Sequence, residues 1–329
     1  MTKSKSRLSL ATVGAVLALL HMAPAEAQNT RSFVASFGND ANTCADPDHA
    51  CATFDGAFVK TLTGGDITVV NSGEYGFISI PRSINITNDG AGEASISNAP
   101  GANLVISAGV GDVVSLRGLV IDGRGSAQAG ILVTQAGAVH VQKCVIRNFE
   151  APTAGYGILV GFIPPMGSPQ VFVSDTIIFN NGSSAGTGGI VVQPVGTASP
   201  RVVLDRVHLE NNVIGLLIDG TQSTGNGAHV IVRDSVVSGN ASHGIEALSA
   251  PGKASAFLVV EHTTSVNNAG TGIIANGPRA TMLLNDNTVA RNGTGISAIN
   301  SGQLISYGNN KVNNNLGADG VPTGSYSPI

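Results

Sequence analysis

Four polar side chains in the middle of the sequence are of types that could transfer protons to and from a bound ligand. Asp219 and Glu246 are carboxylates, His243 is an imidazole, and each lies within four residues of a recurring Gly. Carboxylates and imidazoles are common general acids and bases in enzymes. Asn276 ends the segment after the next recurring Gly and could bind the same ligand. The alternative is that all four are solvated surface residues beside turns.

These four residues belong to a repeated stretch, residues 138–315, which must position them. A short aliphatic run, a polar turn and an Asn recur, and the third residues of successive copies are 32, 31, 28, 28, 24 and 22 positions apart. Each copy has at least two short β-type runs, and it must stack on its neighbours to bury its apolar face. The copies span residues 139–148, 171–180, 202–211, 230–240, 258–267, 282–292 and 304–313. The sequence therefore predicts a solenoid of β-coils.

Two aliphatic columns and one Asn column run through these copies. After each recurring Gly, two positions of period 2 stay aliphatic, so both are predicted to point into the core. Stacked Asn side chains can hydrogen-bond along the axis and tolerate the left-handed backbone of a tight corner. The aliphatic columns are Ile131, Ile158, Ile190, Leu216, Ile245, Ile273 and Ile296, and Val133, Val160, Val192, Ile218, Ala247, Ala275 and Ala298. The predicted Asn ladder is Asn148, Asn180, Asn211, Asn240, Asn267, Asn292 and Asn313.

Aliphatic stacks, an Asn ladder and coils of variable length together resemble the right-handed parallel β-helix of the pectate-lyase-like superfamily. Residues 33–86 also resemble the N-terminal segment of many exported β-helix proteins. The residues that carry this second resemblance are Phe33-Val34, Gly38, Asp40, Thr53-Phe54, Ala57, Gly65-Asp66-Ile67, Val69, Gly73, Tyr75, Ile80, Ile84 and Ile86. The resemblance implies an all-β, right-handed parallel β-helix with a short N-terminal capping helix. It implies little about activity, because the superfamily includes lyases, hydrolases, epimerases and adhesins.

The sequence departs from the catalytic motifs of the enzymes in this superfamily. Ser242-His243-Gly244 resembles the histidine element of polygalacturonases, but no Asp-Asp dipeptide supplies their paired carboxylates. Asp46-Pro47-Asp48-His49 is similar, in scrambled order, to a motif of mannuronate epimerases, but it lies in a Cys loop far from the coils. Pectate lyases need several carboxylates for Ca²⁺, and the outward column between the two inward ones has a single carboxylate. That column is Leu132, Leu159, Val191, Leu217, Glu246, Ile274 and Ser297. No metal site and no cofactor are predicted, and Ca²⁺ has no support.

The composition and the N-terminus predict an exported protein. The chain has 329 residues with 43 Gly, no Trp and 12% charged residues, as expected for Gly-rich turns between aliphatic coils. Three basic residues precede an apolar run at residues 8–20, and Ala25-Glu26-Ala27 supplies a small-x-small cleavage pattern. Residues 1–27 are therefore predicted to be a signal peptide, with Gln28 as the mature N-terminus. The destination is the periplasm or the extracellular medium.

Charge and hydropathy argue against two kinds of partner. Residues 1–27 contain three of the 17 basic residues and one of the 21 acidic residues, so the mature chain has a net charge of −6. A mildly acidic protein lacks the basic surface that nucleic acids require, so no nucleic-acid partner is expected. The apolar run at residues 8–20 is shorter than the roughly 20 residues that span a bilayer, so no membrane insertion is expected.

The chain divides into four predicted segments. Residues 1–27 are the signal peptide, residues 28–64 an N-terminal cap, residues 65–315 the β-helix and residues 316–329 a C-terminal tail. An amphipathic helix in the cap is predicted over residues 53–62, where it would cover the first coil. A cap of this kind hides strand edges that an open solenoid exposes.

The three Cys residues have different predicted roles. Cys44 and Cys51 close a small loop, and in an oxidising compartment this spacing indicates a disulfide. Metal binding is the lesser alternative, because two thiols alone make a poor site. Cys144 shares its column with small residues, so it is predicted to be a buried thiol and not a reactive one.

Two outward apolar stripes are predicted on different sheets. An exposed stripe would suit a protein partner, an oligomer or the face of a sugar ring. The alternatives are that loops cover the stripes, or that β-branched residues are there because strands prefer them. One stripe is Leu132, Leu159, Val191 and Leu217, and the other is Phe172, Val203, Ile231, Val259, Leu283 and Ile305. The aromatic residues available for stacking on sugars are Tyr156, Phe162, Phe172 and Phe179.

Two functions from different classes follow from these observations. The first is a non-catalytic binding or structural module that presents a rigid face to a glycan or a protein. The alternative is a polysaccharide-modifying enzyme (a lyase, hydrolase or epimerase) that acts through Asp219, His243 and Glu246. The missing paired carboxylates and the missing basic catalytic patch favour the first function. The candidate ligand-binding residues are Asp219, Glu246, Asn276 and Tyr156.

Overall fold

Three parallel β-sheets form the walls of a right-handed β-helix of about nine turns. The computed structural model describes residues 28–97, 99–161 and 167–327. The predicted signal peptide, residues 1–27, lies outside the described residues, as does Phe162, so the predictions made for them stay predictions. The fold class predicted from the sequence is confirmed, including the short helix near the N-terminus.

The sheets, called A, B and C in the order in which a coil visits them, hold 12, 10 and 9 of the described strands. Sheet A consists of β1 Asn29–Val34, β2 Thr61–Val69, β5 Ile84–Thr87, β8 Val113–Arg117, β11 Ala138–Gln142, β14 Gln170–Ser174, β17 Arg201–Asp205, β20 Ala228–Arg233, β23 Ala256–Glu261, β26 Ala280–Asn285, β29 Gln303–Ser306 and β31 Gly324–Ser325. Sheet B consists of β3 Gly73–Glu74, β6 Ala94–Ile96, β9 Leu119–Asp122, β12 Val145–Arg147, β15 Ile177–Phe179, β18 His208–Glu210, β21 Val236–Ser238, β24 Thr264–Val266, β27 Thr288–Ala290 and β30 Lys311–Asn313. Sheet C consists of β4 Ile78–Ile80, β7 Ala102–Ser107, β10 Ala129–Gln135, β13 Tyr156–Gly161, β16 Gly188–Gln193, β19 Ile214–Asp219, β22 Ile245–Leu248, β25 Thr271–Asn276 and β28 Thr294–Ile299.

Equivalent residues of successive coils pair in register, so each column seen in the sequence is a column in space. Val141 pairs with Val173 in sheet A, Ile146 with Ile178 in sheet B, and Ile131 with Ile158 in sheet C. Alternate residues of each strand point inward and form one continuous apolar core. Both predicted inward columns are buried apart from Ala298, which is partly buried near the C-terminal end.

The Asn ladder exists, but in three coils it lies one residue later than predicted, and in the last coil two residues later. The backbone N–H of each ladder residue donates to the side-chain oxygen of the next, at 2.9–3.1 Å. The ladder is Asn181, Asn212, Asn240, Asn268, Asn292 and Asn315, so Asn240 and Asn292 are the two members predicted correctly. Asn148, Asn180, Asn211 and Asn267 instead adopt left-handed backbone at the corner, with φ between 52° and 62°. Asn313 ends β30.

The corner between sheets A and B is a tight turn that carries a row of ionisable residues. These residues have left-handed φ values of 47° to 53°, and they are Lys143, Asp175, Arg206, Asp234, His262 and Asp286. Ion pairs link neighbouring coils here, because Arg206 contacts Asp175 at 2.7 Å and Arg233 contacts Asp205 at 2.9 Å. Asp175, Asp205, Arg206 and Arg233 are therefore paired within the protein.

The disulfide and the short helix predicted near the N-terminus are both present, and the helix is shorter than the predicted 53–62 because β2 begins at Thr61. Cys44 and Cys51 are joined by a disulfide. The capping helix α1 spans Phe54–Lys60, and the hydroxyl of Thr53 accepts a hydrogen bond from its first turn. Arg82 donates to two carbonyl groups at the end of α1 and lies 3.9 Å over a phenylalanine ring, so it fixes the helix to the first coil. The buried residues of the helix are Phe54, Ala57 and Phe58.

The predicted C-terminal tail adds to the last coil. The carbonyl groups of Ala318 and Asp319 accept hydrogen bonds from the N–H groups of Gly295 and Ile296, both at 2.9 Å. β31 pairs with β29 and extends sheet A. The carboxylate of Asp319 accepts two hydrogen bonds from Asn315, one from the backbone N–H at 3.1 Å and one from the side chain at 2.8 Å. The tail therefore covers the edge of sheet C, and the Asn ladder ends on a carboxylate.

Cys144 is a free, buried thiol, as the sequence predicts. Burial raises the pKa of Cys144 to about 11. The thiolate is the reactive form, so a thiol reagent at pH 8 is expected to leave the native protein unlabelled and to label one thiol after unfolding without reductant. Intact mass would measure this, and a Cys144→Ala variant should take up no label in either state. Labelling of the native protein as fast as of a free Cys would contradict the prediction.

Candidate functional site

Asp219 lies at the C-terminal end of β19, where sheet C gives way to a loop. Its Oδ1 accepts hydrogen bonds from the backbone N–H of Thr221 at 2.8 Å and from the Thr221 hydroxyl at 2.6 Å. Its Oδ2 accepts from the side-chain amide of Gln193 in the preceding coil, at 2.7 Å. The residue is 8% exposed. The carboxylate is therefore fixed both by its own turn and by a neighbouring coil.

Glu246 points outward from β22, one coil later, between two apolar neighbours. It pairs in register with Leu217 and Ile274, and it is 8% exposed. Its one side-chain hydrogen bond with another described residue comes from the amide of Asn276, at 3.4 Å. Asn276 in turn accepts a bond of 2.9 Å from Asn300. Burying a carboxylate with a single long hydrogen bond costs folding free energy.

Asp219, Glu246 and Asn276 lie towards the C-terminal ends of neighbouring sheet C strands. His243 instead lies just before the N-terminal end of β22. Asp219 pairs with Leu248, whereas His243 precedes the first residue of β22 by two positions. Positions 243 and 248 are five residues apart along an extended strand, a distance of about 16 Å. The Nδ1 of His243 accepts a hydrogen bond from the backbone N–H of Thr271 at 3.0 Å. The predicted grouping of His243 with the carboxylates is therefore wrong, because the imidazole supports a corner between coils.

Neither a metal site nor an epimerase-like site is formed by the described residues that could suggest one. Among the described residues, no group of three or more His, Cys, Asp or Glu side chains could hold a metal ion. The Asp46 side chain caps the short 3₁₀ helix Pro47–His49, accepting a bond of 2.9 Å from the His49 backbone N–H. Hydrogen bonds from His49 lower the pKa of Asp46. The absence of a cofactor, Ca²⁺ included, stays a prediction.

The outward column on sheet C is not the exposed apolar stripe that the sequence suggested. Leu159, Val191 and Leu217 are at most 3% exposed. They form a second apolar cluster with Ile214, outside the main core. The partly buried residues that pack against this cluster are Leu132, Tyr156, Val213 and Leu248. An oligomer interface on this stripe is therefore not supported.

The second predicted stripe, on the outer face of sheet A, is accessible along its length. Its members pair in register from one coil to the next, and all are partly exposed, with Ile231 at 40%. Because parallel strands lie about 4.8 Å apart, the six side chains form a straight line about 24 Å long. We call this line the sheet A row, and it consists of Phe172, Val203, Ile231, Val259, Leu283 and Ile305.

Polar and aromatic side chains flank the sheet A row on one side. Each stands two residues before a row member, and they are Gln170, Arg201, His229, Phe257, Thr281 and Gln303. The rings of His140 and Phe172 stack with centroids 4.9 Å apart, and those of His229 and Phe257 are 5.8 Å apart. This flanking column is not among the features predicted from the sequence, although the strand period of 2 places it on the same face as the row.

Three parallel sheets built from repeated, in-register coils place this protein in the class of β-helix repeat proteins. The chain belongs to the family described as a right handed beta helix region, which matches residues 60–316. A comparison with curated protein sequences gives no match. No helix in the described part of the chain is long and apolar enough to cross a bilayer.

Two solved structures share this fold. One is a pectate lyase, Pel9A, with 11% sequence identity and a TM-score of 0.56, and the match covers 83% of this chain and 78% of that one. The other is an alginate lyase from Paenibacillus sp. str. FPU-7, with 15% identity and a TM-score of 0.51 over 91% of this chain and 97% of that one. At such low identity the similarity concerns the fold alone.

Proposed function

We propose that the protein is a non-catalytic module that binds a linear glycan along the sheet A row. The row itself carries the proposal, because six partly exposed apolar side chains lie in one line with hydrogen-bonding groups beside them. An exposed apolar surface with a polar rim is typical of a binding site. Export through the predicted signal peptide, residues 1–27, is part of the proposal, since it would bring the module to extracytoplasmic polysaccharides.

The shape of the row favours a glycan over a protein partner. The row is one side chain wide, whereas a stable protein interface buries about 800 Å² on each partner. A linear glycan is also about one ring wide, and it has apolar ring faces with hydroxyl groups at its edges. Ring faces would lie on Phe172 and Ile231, while hydroxyl groups would hydrogen-bond to Gln170, Arg201 and His229.

The repeat distance and the related folds support the same ligand class. Backbone pairing fixes the coils at about 4.8 Å, close to the length of one sugar residue in an extended chain. Successive rings would therefore meet equivalent side chains, and the rigid sheet would lose little entropy on binding. The two similar structures are lyases of pectate and of alginate, so polysaccharides are ligands of this fold in other proteins.

An Ile231→Glu variant tests the proposal, because it places a charge in the middle of the sheet A row. The wild-type protein is expected to be retained by at least one polysaccharide in a panel of neutral and uronate polymers. The variant should bind at least about tenfold more weakly, since a charge on the row must lose its hydration under a ring face. Affinity electrophoresis or calorimetry would measure the change.

Ile177→Glu is the matched control, because Ile177 is 41% exposed on the outer face of sheet B. It introduces the same charge at a position with the same exposure, away from the row, and should leave binding unchanged. Retention by no polysaccharide, or an equal loss in both variants, would contradict the proposed function.

Two carboxylates on the outer face of sheet C, Asp219 and Glu246, support a second candidate function, that of an enzyme. Asp219 lies one coil from Glu246 and two residues further along the strand, so their Cα atoms are about 8 Å apart. Most glycosidases use two carboxylic acids that flank the bond they hydrolyse. The same incubations should therefore be analysed for shortened chains and unsaturated ends. Products that disappear in a Glu246→Gln variant would establish this second function, and their absence would leave the binding module.

A further inference from the structure

A cleft on the outer side of sheet C lies between β13 and the turn that precedes it. Its volume is about 270 Å³, below the 300–1,000 Å³ that is usual for sites of drug-sized ligands. The residues that matter for its chemistry are Gln128, Leu132, Pro152, Thr153, Tyr156 and Leu159. A cleft of this size has room for one ring, not for a chain of them.

The lining combines an apolar floor with three uncharged polar groups. Leu132 and Leu159 belong to the second apolar cluster or pack against it, and they form the floor. The hydroxyl of Tyr156, the carboxamide of Gln128 and the hydroxyl of Thr153 make no side-chain hydrogen bond with another residue in the described ranges. Burial raises the pKa of Tyr156, so its hydroxyl stays protonated and can donate. The described lining contains no Asp, Glu, Lys or Arg.

The rim of the cleft is a turn held in an unfavourable conformation. The N–H of Ala154 donates to the carbonyl of Ala151 at 3.0 Å, which closes a β-turn. Thr153 has a φ of 64° in this turn, at a position where Gly or Asn is usual. The hydroxyl of Ser183, in the next coil, lies 2.6 Å from the Ala151 carbonyl and 2.8 Å from the Ala154 carbonyl. Strained backbone costs free energy, and such positions cluster at active and binding sites.

We propose that this cleft binds one neutral sugar residue, such as the end of a chain or a single branch. An apolar floor suits the face of a sugar ring, and the three polar groups around it suit ring hydroxyls. The absence of charge in the described lining argues against strong recognition of a uronate. The cleft lies on sheet C and the row on sheet A, so this inference does not rest on the proposed function.

A titration with methyl glycosides tests the cleft without involving the row. Neutral hexosides, N-acetylhexosaminides, uronides and a short aliphatic alcohol would be compared by saturation-transfer NMR and calorimetry. A neutral glycoside is expected to bind, and Tyr156→Ala should weaken it at least about tenfold. Tyr156→Phe keeps the ring and removes the hydroxyl, so it should give a smaller loss without disturbing the fold.

Tyr326→Phe is the control, because Tyr326 is 52% exposed near the C-terminus, away from the cleft. It should leave glycoside binding unchanged. The proposal is overturned if no neutral glycoside binds, if binding survives Tyr156→Ala, or if the uronide or the alcohol binds better.

Discussion

An Asn268→Ala variant is expected to lose about 2–6 kcal/mol of unfolding free energy. The Oδ1 of Asn268 accepts hydrogen bonds from the Asn240 backbone N–H at 3.1 Å and from its side chain at 2.7 Å. Alanine leaves the Asn240 backbone N–H without a partner, and the Asn240 side-chain amide keeps only its bond to the Leu209 carbonyl. Each unpaired N–H costs about 1–3 kcal/mol. It also removes the 2.8 Å bond to Asn292. Urea unfolding followed by circular dichroism would measure the difference.

Asn267→Gly is the control for this experiment. Asn267 is the exposed neighbour of the ladder residue, and its φ of 57° is a conformation that glycine adopts without strain. Its replacement should change the free energy of unfolding by less than about 1 kcal/mol. If Asn268→Ala were as mild as Asn267→Gly, the ladder would not contribute to stability, and the coils would depend on apolar packing alone.

A Gly277→Ala variant is expected to be destabilised by more than about 4 kcal/mol, or to fail to fold. Gly277 follows β25 with a φ of 110°, and an added Cβ would lie 2.0 Å from the backbone oxygen of Ser249 in the preceding coil. Backbone atoms of a neighbouring coil cannot move aside without breaking the pairing between β22 and β25. Soluble yield and the midpoint of thermal unfolding would report the effect.

Gly252→Ala is the matched substitution at the same corner of the β-helix. Gly252 also has a positive φ, 70°, but no atom lies within 4 Å of its added Cβ. Its cost should be limited to the left-handed backbone, about 1–2 kcal/mol. Equal effects in the two variants would show that conformation, and not the approach of neighbouring coils, determines the requirement for glycine.

The fold could be predicted from the sequence because its determinants are local and repeated. The period-2 alternation at Ile131 and Val133 fixes which face of each strand is buried, and every later copy repeats it. The spacing of Cys44 and Cys51 and the face of helix α1 depend on a few neighbouring residues. Each of these patterns can be recognised in the sequence without information on contacts between distant residues.

The ladder was misplaced because several coils contain two consecutive Asn residues at the corner. The first of each pair is outside with a left-handed backbone and the second is inside, as in Asn211 and Asn212. The sequence does contain the information that separates them. In the coils with Gly239-Asn240 and Arg291-Asn292, the single Asn occupies the second position.

The candidate sites depend on contacts between distant residues, which the pattern does not specify. The outward aliphatic positions of sheets A and C look the same in the sequence, yet Val191 is 1% exposed and Ile231 is 40% exposed. His243 and Glu246 are three residues apart in sequence, and the extended backbone carries them about 10 Å apart, towards opposite edges of sheet C. Proximity along the chain therefore overestimates proximity in a β-helix.

The side-chain amides of the Asn ladder all have the same orientation, so the ladder has a net dipole along the β-helix axis. Every ladder oxygen faces the preceding coil, so the side-chain amide dipoles add along the axis, as peptide dipoles add in an α-helix, and here their positive end is at the C-terminus. The negative carboxylate of Asp319 lies at that positive end, and its hydrogen bonds with Asn315 lower the pKa of Asp319 below its ordinary value of 3.8. The stabilisation of the folded last coil by the ionised Asp319 carboxylate is complete above pH 3.8 and is lost as the pH falls through the lowered pKa. Strong acid should therefore loosen the last coil before the others.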